Sequence, residues 1–151
     1  MGNKTFSLKQ FVIVTLITSI WIHVGEVARA FFVAFPRMAA FFEGKLQIVG
    51  ADQMQISHAI IWGLWDTILT AVLVFILWLC LEVFGDKTKS ILISGTTTAL
   101  ATIGIFWIAA VNSGLGEWST AFVLFPLAWI ELLIGAWIAS KLFSKVAIPN
   151  A

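Results

Sequence analysis

The sequence predicts an all-α integral membrane protein: a bundle of four transmembrane helices with both termini in the cytoplasm. Three observations carry this prediction. Apolar residues make up 60% of the chain and charged residues 11%, against roughly half and about a quarter in soluble domains. Four apolar runs are each long enough to cross roughly 30 Å of hydrocarbon, which takes about 20 residues. The basic residues gather on one side of those runs. With 151 residues, one transmembrane domain is expected.

The first span covers residues 8–35, opened by a capping hydroxyl in Thr5-Phe6-Ser7 and closed by Pro36. The second covers residues 57–84, where Gly85-Asp86 ends it, and Asp52 is placed to cap its start. The third runs over 90–111, up to Asn112-Ser113-Gly114, and the fourth over 119–143. Membrane strands are excluded, because these runs lack alternation and are more than twice a membrane strand's length.

Lys4 and Lys9 precede span one, Lys87 and Lys89 join spans two and three, and Lys141 and Lys145 close span four. The opposite side carries Arg37 and Lys45 in the first loop and no basic residue between Asn112 and Trp118. The positive-inside rule then places both termini inside. A signal peptide is the competing reading of span one, with Ala28-Arg29-Ala30 as a cleavage-like site. The apolar run continues through Phe31 to Phe35, so the segment is expected to remain as a span. In the first outer loop, the stretch from Arg37 to Leu46 sets Phe41 and Phe42 beside charges. It is expected to form a short amphipathic segment lying at the interface.

Composition removes several function classes. A net charge of +1 leaves no electrostatic footprint for nucleic acid. One cysteine, Cys80, excludes an internal disulfide and a multi-thiolate metal site. No GxGxxG, P-loop or HExxH pattern occurs.

The informative residues are polar groups inside the spans. Span one carries His23, Glu26 and Arg29, three apart and so spread over about 120° of one face. Span two carries His58, Trp62, Asp66 and Thr70 in steps of four. Span four carries Glu131, after Pro126. At 1.5 Å rise per residue, His23 and Glu131 fall near mid-membrane, Glu26, Arg29 and Asp66 in the outer half, and His58 at the outer edge. A charge at mid-bilayer costs at least about 2.5–3.5 kcal/mol, so these groups must face the bundle or a wet cavity. Arg29 can pair with Glu26 or with Asp66. One arginine against three carboxylates leaves a formal −2, so the cluster is expected to hold protons or a cation.

The leading functional expectation is a small transport or permeation protein with a central-to-outer polar cavity, coupled to a proton or cation. His23, Glu26, Arg29, Asp66 and Glu131 would form its site, with His23 as a relay. Trp21, Trp62, Trp65 and Trp129 would wall a pocket suited to an organic cation. A homo-oligomer, or membership of a larger membrane complex, is expected, with lipid and a small solute or cation as partners. No cofactor is expected on this reading. The alternative is a redox subunit binding haem, a metal or quinone, with His23 and His58 as the imidazoles and Met54–His58 as a copper pair. A third reading is a membrane enzyme acting on a lipid or small amphiphile, which no nucleophile motif supports. Against all three stands a purely structural account. The charges would tie helices together, and Ser94, Thr98, Thr102, Gly135 and Ala139 would serve close packing.

Overall fold

The computed structural model describes residues 6–46 and 51–145, and every described element is helical. Lys4 and Thr5, used in the sequence reading, lie outside those residues. Four helices are long and apolar enough to span a membrane: α1 (Leu8–Phe42), α2 (Ile56–Phe84), α3 (Lys87–Asn112) and α4 (Trp118–Lys145).

Local chemistry sets their ends. Ser7 caps α1, its side chain accepting from the Gln10 N–H at 3.4 Å. The expected cap of α2 is corrected. Asp52 lies in a short 3₁₀ turn, Ala51–Gln53, and Gln55 is the capping residue, paired reciprocally with His58. Between α2 and α3 the chain reverses at Gly85, whose φ of 65° is open to glycine at little cost. The next residue, Asp86, then caps α3 by accepting the Lys89 N–H at 2.7 Å.

The end of span one is also corrected. Pro36 does not stop the helix, which runs on to Phe42 through a π-helical turn at Ala30–Ala34. The Phe35 N–H reaches back five residues to the Ala30 carbonyl. That wider turn gives the pyrrolidine ring room, and the missing N–H of Pro36 falls where the hydrogen-bond register changes anyway. The segment expected at the interface is therefore the tip of α1. There Val33, Ala34 and Met38 pack on Ile103 and Trp107 of α3 and on Ala121 and Leu124 of α4. A second π turn, Leu100–Gly104, interrupts α3.

The helices alternate in direction and pack in a ring, α1–α2–α3–α4 and back to α1, with α2 also touching α4 across the bundle. Glycines set the closest approaches. A Cβ on Gly95 of α3 would lie 2.8 Å from Leu133 Cδ2 and 3.2 Å from its Cα, so those two backbones meet directly. Gly135 of α4 admits Ile22 of α1, whose Cδ1 lies 2.9 Å from where a Cβ would stand, with Leu73 of α2 at 3.2 Å. Ile22, Leu69, Leu73, Ala99, Leu132 and Ala136 form a closed apolar layer at this level. Outward faces carry large apolar side chains along every helix. Such a surface suits lipid, where association rests on close packing and not on hydrophobic burial.

Candidate functional site

The site stands beside that apolar layer, where α1 meets α4 on one flank and α2 on the other. Arg29 is its hub. Its Nη2 pairs with Glu26 one turn back on the same helix, and its Nε lies 3.5 Å from Glu131 Oε2 on α4. All three side chains are nearly enclosed, 12% exposed for Arg29, 14% for Glu26 and 7% for Glu131. Arg29 therefore joins two helices through carboxylates on each. The pairing expected with Glu26 is present. The alternative with Asp66 is not, and Glu131 takes the second position because α4 crosses α1 at this level.

Glu131 can approach because residue 25 is glycine. A Cβ there would sit 2.6 Å from Glu131 Cδ and 2.9 Å from its Oε1. The Glu131 carboxyl thus lies flat on the α1 backbone. A second tie comes from Trp21, whose indole N–H donates to the Glu131 backbone carbonyl at 3.1 Å. Among the five buried side-chain atoms without a hydrogen-bond partner in the described residues, two belong to the site, Glu131 Oε1 and Arg29 Nε.

On the α2 flank, His23 faces two backbone carbonyls, Ser19 at 2.6 Å from Nδ1 and Gly63 at 3.1 Å from Nε2. A carbonyl only accepts, and a neutral imidazole has one N–H to donate. The ring donates to one of them as either neutral tautomer. Asp66 is buried on α2. Arg29, Glu26 and Glu131 are thus in direct contact, and His23 meets α2 at Gly63, one turn before the buried Asp66. The charge of these residues does not close. Three carboxylates face one guanidinium, and counting His23 as cationic still leaves one negative charge.

A groove of about 380 Å³ runs along the α1–α4 seam, with Trp21, Gly25 and Arg29 on one bank and Ile130, Glu131 and Ile134 on the other. It opens sideways between the helices and not along the bundle axis, since Ile130 and Ile134 are themselves surface residues. Of the four tryptophans expected to wall a pocket, Trp21 lines this groove and the other three lie elsewhere. Trp62 is exposed and stacks on Phe35 at 5.7 Å, Trp65 faces outward, and Trp129 donates to Thr96 Oγ1 at 3.0 Å. Helices that are apolar all round give a sequence reading no phase by which to aim them.

Two of the candidate metal ligands make hydrogen bonds in the fold. His58 accepts the Gln55 N–H at 3.0 Å through Nδ1, closing the α2 cap, and both nitrogens of His23 face carbonyls. Among the described residues, no group of three His, Cys, Asp or Glu side chains is arranged to hold a metal ion. Sequence reasoning missed Gly25 and Gly63, the two glycines against which Glu131 and His23 lie. Gly25 sits between His23 and Glu26, and a small residue amid buried charges was the available signal. No protein family, curated protein or solved structure matches the chain, so the function is read from this site alone.

Proposed function

We propose that this chain is a four-span membrane protein, with both termini cytoplasmic, that binds protons or a small cation on its Glu26–Asp66–Glu131 cluster and couples that binding to the passage of a small solute. The observation that supports the reading is Glu131. It is buried at the centre of α4 with one carboxyl oxygen unpaired, in a cluster holding more carboxylates than cations. A closed structural network would leave neither excess charge nor an orphaned acceptor, because each is costly away from water. A proton or a cation on Glu131 removes both costs. Arg29 fixes the position of the carboxylates, and His23 holds α2 against α1 at the same level. The apolar layer around Ile22 lies between the cluster and the basic end of the bundle. A homo-oligomer, or a place in a larger assembly, would complete the apolar outer faces.

The test uses reconstituted protein and infrared difference spectra between acid and mildly alkaline buffers, with and without sodium. Wild type should show a carboxyl band that responds to pH or to sodium. Glu131→Gln, which keeps shape and a hydrogen-bonding end, should fold normally and lose that band. A wild-type spectrum without the band, together with normal behaviour of Glu131→Gln across the pH range, would leave the structural network as the better account.

A further inference from the structure

Glu131 stands about 20 Å from either end of α4 by helix rise, since that helix runs from Trp118 to Lys145. The groove that reaches it is therefore at mid-helix, level with hydrocarbon and far from either aqueous face. Its banks are apolar and its mouth is formed by outward-facing side chains, Leu127 at 41% exposure and Ile130 at 53%. Whatever occupies it from that direction must first dissolve among lipid tails.

Its floor is different. There the Arg29 guanidinium is held by Glu26 and Glu131 together, so the trio is net negative whenever Glu131 is ionised. Glu131 is more than nine-tenths buried and its Oε1 lacks a partner. An anion would be repelled, and a neutral molecule would leave the excess charge where it is. Trp21 completes the set. Its indole is pinned by the bond to the Glu131 carbonyl while the residue lines the groove, and an indole face attracts a cation within about 6 Å of its centroid.

We propose that the α1–α4 groove is a lateral binding site for a lipophilic monocation, which enters from the hydrocarbon, lays its apolar body against Trp21, Ile130 and Ile134, and sets its charge over Glu131. This names the solute class for the function proposed above and rests on that reading. The cation and the proton serve the same carboxyl group, so each displaces the other, and that exchange is the coupling.

Tetraphenylphosphonium is the probe, measured by equilibrium dialysis on the full chain in lipid nanodiscs. Wild type should bind it saturably and bind the anion tetraphenylborate at least tenfold more weakly. Ala28→Trp, which fills the groove from α1, should weaken tetraphenylphosphonium binding at least tenfold while retaining the Glu131 infrared band. Ile60→Trp, on an outward face of α2, should bind as wild type does. Absent binding, equal binding of the anion, or full binding by Ala28→Trp would each overturn the lateral site. None of these results bears on the Glu131 band, so the two readings fail separately.

Discussion

The carboxyl group of Glu131 occupies the space that a side chain at Gly25 would fill, 2.6 Å from the position of its Cβ. A glycine on one helix and a glutamate on another are thus parts of one fitting. Gly25→Ala should displace the carboxyl group, lengthen its contact with Arg29 and cost about 1–3 kcal/mol, the usual range for overpacking. Gly63→Ala is the control, since its Cβ would stand 3.6 Å from His23 Nε2 in ordinary contact. Thermal denaturation in detergent should show a lowered Tm for Gly25→Ala and an unchanged or raised one for Gly63→Ala.

Arg29 should tolerate lysine better than alanine. Removing one partner from a buried ion pair costs about 3–5 kcal/mol, and Arg29→Ala would leave Glu26 and Glu131 facing each other. Arg29→Lys keeps the charge but cannot reach both carboxylates in the forked geometry, so its loss should be intermediate. Equal thermal stability of both variants with wild type would show that Arg29 does not hold α1 to α4.

Trp21→Phe removes the one indole donor to the Glu131 backbone carbonyl and keeps most of the ring. A net loss of about 0.5–1.5 kcal/mol is expected, the contribution of a typical hydrogen bond. It should appear as a lowered denaturation midpoint without change in helix content by circular dichroism.

Glu117, just before α4, supplies a pH prediction outside the spans. Hydrogen bonds from Ser119 and Thr120 hold its carboxyl below the ordinary glutamate range, the Thr120 hydroxyl donating at 3.0 Å. The group's folded value is depressed, so its contribution to the start of α4 is complete above the ordinary glutamate range. It is lost as pH falls through the depressed value. Carbon-13 titration of Glu117 should give a midpoint below that of an exposed glutamate, and Thr120→Val should raise it.

Much of this architecture is written in the chain. Four apolar runs became four helices because a span must satisfy its backbone internally and helix is the local way to do so. The charged cluster was legible for a related reason: Glu131 or Asp66 in an apolar run has few places to go except against other polar groups. What stayed hidden depends on facing and on backbone fit. Trp62, Trp65 and Trp129 could not be aimed, since lipid and core accept the same side chains. Pro36 reads as a stop, and the helix passes it after a π turn. Gly25 reads as one small residue among several until Glu131 is seen lying on it.

The π turn at Ala30–Ala34 has a consequence for α1 as a whole. It works as one residue inserted into a regular helix, which advances everything beyond it by about 100° of rotation. Below the turn, α1 directs His23 at α2 and Arg29 at α4; beyond it, the same helix directs Met38 at the cluster formed by α3 and α4. The helix is in effect two differently phased rods joined end to end. Its phase can be reset by a single deletion within Ala30–Ala34, which would turn the Phe35–Phe42 tip away from its neighbours and leave the charged cluster in place.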